Sequence, residues 1–217
     1  MTTCGRLTNR YEQLSNQAPK SLPLRPSRWK FLRAYFDAWR TVGAVAPTSH
    51  GLARRIARMA GLQDAHSVAE FGPGTGAITG ELLATLPADG QLWAFEVYRP
   101  FVTHLRATIN DPRLVLVADT AESVAELRQR EQVPEFDAIV SSVPFSLMDH
   151  AQTTEILRAA ARALRPDGVF VALQYHPRYL APLLRAEFED VQREVYLWNI
   201  PPAVLLRARG PRQGQAG

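Results

Sequence analysis

A short apolar run at Ser67–Phe71 carries Glu70 near its end and breaks straight into Gly72-Pro73-Gly74-Thr75-Gly76, where a helical pattern opens. A buried strand that yields to three alternating glycines and then to a helix leaves few folds open. Glycines at such places permit φ > 0 and bring the backbone close to a ligand. The helix beyond presents free N–H groups, as at the carboxyl end of a strand in an open α/β sheet. Four further apolar runs, Leu92–Val97, Leu114–Ala118, Phe136–Ser141 and Val169–Gln174, suit buried parallel strands. Helical patterns over Ala77–Leu86, Pro100–Ile109, Ala121–Arg130 and Ala151–Leu164 separate them, and turns are expected at Ala88-Asp89-Gly90 and Arg165-Pro166-Asp167-Gly168. Two last β-rich runs, Val191–Ile200 and Ala203–Arg209, are joined by Pro201-Pro202. That link is too short for a parallel crossover, so the pair is antiparallel and lies at one edge. The expected fold is a doubly wound, seven-stranded, mostly parallel α/β sheet with an antiparallel C-terminal strand pair and N-terminal amphipathic helices.

The 217 residues suffice for one well-buried domain, and a 46% hydrophobic content argues against wholesale disorder. The lone cysteine, Cys4, excludes an internal disulfide framework and fits a reducing, cytoplasmic setting. Residues 1–20 are polar with no apolar leader, and no run approaches the ~18 apolar residues of a membrane span. Residues 1–48 are expected to form an arm and an amphipathic helix, 49–209 a ligand-binding domain, and 210–217 a disordered tail. Charge is uneven along this plan. Residues 1–60 hold eleven Lys or Arg against Glu12 and Asp37, which leaves +9 there and −5 in the remainder of a +4 chain. A basic lobe on an acidic body suits an anionic partner, either a membrane surface or a nucleic acid.

The glycine loop has an acidic counterpart. Glu96 ends the second strand 20 residues past Gly76, close to the ~20-residue spacing at which an acid meets a ribose diol in dinucleotide folds. The loop itself departs from the pyrophosphate-binding G-x-G-x-x-G pattern. In E-F-G-P-G-T-G it resembles the first motif, (D/E)-x-G-x-G-x-G, of class I S-adenosylmethionine-dependent methyltransferases. That resemblance spans about Ser49 to Arg209. It implies S-adenosyl-L-methionine as cofactor and S-adenosyl-L-homocysteine as product, with no metal. Glu70 would sit near the methionine ammonium, and Gly72, Pro73, Gly74, Thr75 and Gly76 would frame the methionine moiety. Glu96 would take the ribose hydroxyls, and Val97 or Tyr98 would pack on the adenine. Asp119, with Thr120 and Ala121, would meet the adenine amino group, and Ser141 would complete the cofactor set.

The fourth strand runs into Ser142-Val143-Pro144-Phe145. This resembles the (N/D/S)-x-P-(Y/F) motif of amine methyltransferases, with Ser142 orienting the amine and Pro144 and Phe145 packing on it; a cationic amine favours an aromatic face. A proline turn closing a strand is the alternative. The fifth strand leads to Tyr175-His176-Pro177-Arg178. Tyr175 or His176 could relay the proton an ammonium must lose before attack, and Arg178 could hold a phosphate. A serine reads a nucleobase edge poorly, which counts against nucleic acid.

Ser27–Val42 forms the second strong signal. Trp29, Leu32, Tyr35, Phe36, Trp39 and Val42 share one helical face, while Lys30, Arg33, Asp37 and Arg40 lie opposite. An aromatic face beside a basic one suits a helix in a membrane interface, although such a helix could also cap the sheet. This segment through Ser49, together with S-S-V-P-F, L-Q-Y and W-N-I-P-P-A, resembles the bacterial phospholipid N-methyltransferases, relatives of the rRNA adenine dimethylases. The resemblance implies stepwise methylation of phosphatidylethanolamine toward phosphatidylcholine. It also implies a monomer on the anionic inner face of the cytoplasmic membrane, with no nucleic-acid partner. Trp29, Lys30, Leu32, Arg33, Phe36 and Trp39 would touch the membrane, Tyr35 the substrate, and Thr48 and Ser49 the cofactor carboxylate. An rRNA or other nucleic-acid adenine methyltransferase is the other reading.

Overall fold

The computed structural model describes residues 48–199 and 201–212. The expected amphipathic helix, with Trp29, Lys30, Leu32, Arg33, Tyr35, Phe36 and Trp39, lies outside the described residues. Seven strands form one sheet: β1 (Ser67–Phe71), β2 (Gln91–Phe95), β3 (Leu114–Val117), β4 (Phe136–Ser141), β5 (Leu164–Gln174), β6 (Phe188–Tyr196) and β7 (Ala203–Pro211). Their order is β3-β2-β1-β4-β5-β7-β6. The first five are mutually parallel, and β7 is antiparallel to both β5 and β6. The sheet is therefore mostly parallel, with the antiparallel pair at one edge as expected. Because β7 reverses direction and β6 reverses it again, β6 ends at the same carboxyl edge as β1, β2, β4 and β5.

Both faces of the sheet are covered, which is why its central strands read as unbroken apolar runs. Along β1, Val68 packs into one cluster while Ala69 and Phe71 pack into the other. The first cluster lies under α1 (His50–Met59) and α2 (Thr79–Thr85). The helix α3 (Arg99–Thr108) follows β2. The second cluster lies under α4 (Val124–Glu131), α5 (His150–Ala163) and α6 (Pro177–Glu187). The expected helix over Ala121–Arg130 begins as a single 3-10 turn, Ala121–Ser123, before α4.

Two helices go beyond the sequence reading. Ser49 caps α1 by accepting from the Leu52 amide at 3.2 Å. That helix sends Leu52, Ala53, Ile56 and Ala57 into the core; burying Leu52 or Ile56 contributes roughly 1.5–3 kcal/mol each. On its outer side Arg55 forks onto both carboxylate oxygens of Glu194 in β6, with Nε at 2.6 Å from Oε1. Gly51 lets this helix approach β6 closely, since a Cβ there would lie 2.6 Å from the Tyr196 hydroxyl oxygen. In α6, Pro177 opens the helix and Pro182 sits inside it, while Leu180 and Leu184 anchor it to the core.

The expected turn at Arg165–Gly168 is absorbed into β5 as an irregularity: Phe136 pairs with Leu164, and Ala138 next pairs with Val169. At the C-terminus β7 continues to Pro211, and the Arg212 amide donates to the Glu187 carbonyl at 2.8 Å. Residues 210–212 are thus part of the domain, a correction to the tail expected from 210. Residue 210 is a glycine at φ 62°, so the strand passes through a conformation that reads from sequence as a chain break.

Candidate active site

The first strand delivers its carboxyl end into a loop in which Gly72, Gly74 and Gly76 all have positive φ, at 71°, 57° and 86°. Two backbone bonds hold this shape: Gly72 donates to the Phe95 carbonyl at 3.0 Å and Gly76 to the Pro73 carbonyl at 2.9 Å. Pro73 is buried and Thr75 exposed. Glu96, at the end of β2, is 2% exposed. Its two oxygens accept from the backbone amides of Gly74 at 3.0 Å and Tyr98 at 2.8 Å. Burial raises its pKa, and those amide bonds pull it back down. Each oxygen keeps a lone pair for a further donor, as a ribose diol requires.

Glu70 is fully buried, and neither of its carboxylate oxygens has a hydrogen-bond partner. Burial pushes its pKa up to about 8; Thr79 opposes that shift and the charge of Glu96 adds to it. The Thr79 hydroxyl lies close enough to act on the carboxyl without completing a hydrogen bond to it. A buried carboxyl with two unused oxygens is costly alone, and an arriving ammonium would supply its missing partner.

Val97 and Tyr98 are half-buried beyond Glu96, and Tyr98 packs edge-on to Phe101 at 5.1 Å between ring centroids. Asp119 turns one oxygen onto the Thr120 amide at 2.7 Å, and Ala121 is buried behind it. Ser49 contributes its hydroxyl to capping α1 and its backbone amide to Asn199 Oδ1 at 3.4 Å.

The loop after β4 lies directly against the glycine loop. A Cβ on Gly72 would meet Val143 Cγ2 at 3.4 Å and the Val143 nitrogen at 3.6 Å. Ser142 donates its amide to the Phe71 carbonyl at 2.9 Å, while its buried hydroxyl oxygen has no partner. Ser141 is buried and accepts from the Val143 amide at 3.3 Å. Gln174, given no role of its own from sequence beyond its place in L-Q-Y, clamps this loop to β5 by donating to the Val143 carbonyl at 2.9 Å. Pro144 is half-buried and begins a 3-10 turn at Phe145–Leu147. That turn directs Phe145 into the core, where it is 0% exposed. Phe145 thus packs into the core, as fully buried as Glu70.

Beyond β5 a pocket of about 430 Å³ is lined by Tyr175, His176, Pro177, Arg178, Tyr179 and Arg193. Three of these residues were singled out from sequence. Arg193 comes from β6 and had no sequence signal. Burial raises the Tyr175 pKa above its ordinary value, with Asn199 beside its hydroxyl offsetting part of the effect. Asn199 is 3% exposed and also donates to the Pro201 carbonyl at 2.9 Å. It thus joins the start of α1 to the acceptor side of the site.

The residues present fit the S-adenosylmethionine expected from sequence. Glu70 offers two unused buried oxygens to an ammonium, Glu96 offers spare lone pairs to a diol, and the glycine loop lets backbone approach both. What the arrangement can do chemically is hold a nucleoside-bearing cation beside the Ser142 hydroxyl and the Tyr175 pocket.

Comparison with known proteins agrees with this fold and with S-adenosylmethionine as the cofactor. Residues 68–168 match the methyltransferase domain family. The ornithine lipid N-methyltransferase of Singulisphaera acidiphila is 24% identical over 184 residues, covering 84% of this chain and 96% of that protein. Among solved structures, an O-methyltransferase from Bacillus cereus in complex with SAH superposes with a TM-score of 0.63 at 15% identity, over 95% of this chain and all of that one (100%). The 1,6-didemethyltoxoflavin-N1-methyltransferase of Burkholderia thailandensis, with S-adenosylhomocysteine bound, gives 0.61 at 20% identity over 90% and 93% of the two chains.

Proposed function

We propose that this chain is an S-adenosylmethionine-dependent N-methyltransferase that methylates a primary amine in a lipid headgroup, with phosphatidylethanolamine as the first substrate. The observation that carries the reading is an unpartnered, buried Ser142 hydroxyl in the loop that packs on the glycine loop, a loop clamped by Gln174, which leads directly into Tyr175 and a pocket lined by two arginines. A headgroup with an amine at one end and an acidic group at the other suits that pairing of features. The ornithine lipid N-methyltransferase relative, matched over nearly its whole length, supports a lipid amine as acceptor.

The cofactor brings a methyl group already activated on a sulfonium. Bound there, it would give that methyl to the amine nitrogen, with the carbon–sulfur electron pair kept on sulfur as S-adenosylhomocysteine. The protein's part is largely orientation and proton removal. Ser142 Oγ accepts a hydrogen bond from the amine and so directs the nitrogen lone pair at the methyl group. The raised pKa of Tyr175 keeps its hydroxyl protonated at neutral pH. Tyr175 therefore positions the amine by hydrogen bonding, and it is not the base. The proton leaves through the pocket wall, where His176 is exposed. A nucleobase acceptor fits less well, since one serine hydroxyl cannot match the donor and acceptor pair of an adenine edge.

The test is transfer of labelled methyl from S-adenosylmethionine to vesicles containing phosphatidylethanolamine or ornithine lipid, with RNA as a third acceptor. Labelled mono-, di- or trimethyl phosphatidylethanolamine is expected. Label on ornithine lipid alone would keep the lipid amine and change the headgroup; label on RNA alone would overturn the reading.

A further inference from the structure

Leu147, Val195, Leu197 and Trp198 are the exposed large hydrophobics among the described residues, at 39%, 46%, 70% and 88%. All four lie at the carboxyl edge of the sheet. Leu147 closes the turn after β4, Val195 is next to last in β6, and Leu197 and Trp198 begin the β6–β7 connection. Surface loops are ordinarily polar, and apolar side chains gathered at one edge mark a contact surface. The same edge carries cations. Arg193 lies on the same face of β6 as Val195, two residues before it, and it lines the pocket with Arg178. Tryptophan beside arginine is the pairing found where protein meets the headgroup layer of a bilayer. The neighbouring residue Asn199 holds the Ser49 amide at 3.4 Å, which places the start of α1 at this edge too.

We propose that the carboxyl edge of the sheet is a second membrane-docking surface. Leu197 and Trp198 insert at the headgroup boundary, and Arg178 and Arg193 hold the phosphate of a phospholipid in the pocket behind them. The inference rests on the proposed function for the phospholipid's role as substrate, and not for the docking itself. It explains how a lipid amine reaches Ser142 without leaving the bilayer. The carboxyl ends of β4, β5 and β6 would all face the headgroup layer.

The experiment uses the full chain with vesicles of phosphatidylglycerol and phosphatidylethanolamine carrying brominated acyl chains, which quench tryptophan on contact. In a Trp29→Phe, Trp39→Phe background the remaining tryptophans are Trp93, which is 1% exposed in the core, and Trp198. Quenching then reports on Trp198. Vesicle-dependent quenching is expected in this background and should vanish when Trp198→Phe is added. In the otherwise native chain, Leu197→Ser with Trp198→Ser should weaken vesicle binding about tenfold or more. Arg193→Gln should weaken binding to the anionic vesicles about fivefold. Calorimetric affinity for S-adenosylhomocysteine serves as the check that each variant is folded. Unquenched Trp198 on vesicles that still bind protein, as when residues 1–47 cover it, would overturn the proposal; so would serine variants that bind vesicles as the native chain does. Absence of methyl transfer by the native chain would remove the substrate assignment and leave the quenching result standing.

Discussion

Glu96 Oε2 accepts from the Gly74 amide at 3.0 Å, so the end of β2 and the middle of the glycine loop are held as one unit. The other oxygen of the same carboxylate holds the Tyr98 amide at 2.8 Å. One side chain therefore shapes the loop and presents the lone pairs a ribose would use. Replacing Glu96 by Ala leaves both amides without that acceptor. Loss of a buried partner costs about 1–3 kcal/mol, and the ribose contact is lost as well. We expect S-adenosylhomocysteine to bind at least roughly tenfold more weakly by titration calorimetry. Native affinity in the variant would contradict the assignment.

Glu70 makes stability depend on pH in an unusual direction. Its folded pKa of about 8 lies above the ordinary 4.5. Between those values the folded protein keeps a proton that the unfolded chain has released, so raising the pH favours unfolding. Stability attributable to this carboxyl is full below about pH 4.5 and falls as pH rises toward 8. Glu70→Gln should flatten that part of a Tm-against-pH curve, and parallel curves for the two proteins would refute it. An ammonium beside Glu70 favours the ionised form, so cofactor binding near pH 7 should release a proton. Calorimetry in buffers of differing ionisation enthalpy would detect it.

Gly76 meets two demands at once. Its φ is 86°, and a Cβ there would lie 2.8 Å from Leu105 Cδ2 and 3.1 Å from Ile109 Cδ1. Gly76→Ala must strain the backbone or displace α3, at a cost of about 1–3 kcal/mol. Chemical denaturation should show a lower midpoint, and cofactor affinity should fall with it. A midpoint equal to the native one would mean that the loop relaxes freely, against the packing described here.

The glycine loop, the five parallel strands and Glu96 were legible because each rests on local pattern: apolar runs, glycine spacing and an acid at a strand end. The helix α6 was not, because Pro177 and Pro182 read as breaks although the fold tolerates them with Leu180 and Leu184 buried. In α1, the small residues Ala53 and Ala57 carry half of the buried face, which leaves a faint apolar period among Arg54, Arg55 and Arg58. The inward direction of Phe145 was not legible because it depends on a single 3-10 turn. The contacts of Arg193 and of Asn199, the latter quoted from sequence only within W-N-I-P-P-A, were not legible for a different reason. Their partners come from distant strands and helices, and no sequence period marks such convergence. Asn199 stands 150 residues from the Ser49 amide it accepts.

Tyr175 separates positioning from proton transfer. Its hydroxyl is half-buried with a raised pKa, and Asn199 lies beside it. If it orients the amine while remaining protonated, Tyr175→Phe removes a hydrogen bond made in the reacting complex and leaves the cofactor cradle untouched. Loss of one such contact corresponds to about a 10- to 100-fold fall in kcat for lipid. Affinity for S-adenosylhomocysteine should stay native. The acidic limb of the pH–rate profile should also keep its position, because another group takes the proton. A shift of that limb in the variant would make Tyr175 part of the proton path and overturn the positioning role. Native kcat with a raised KM would instead confine it to holding the headgroup.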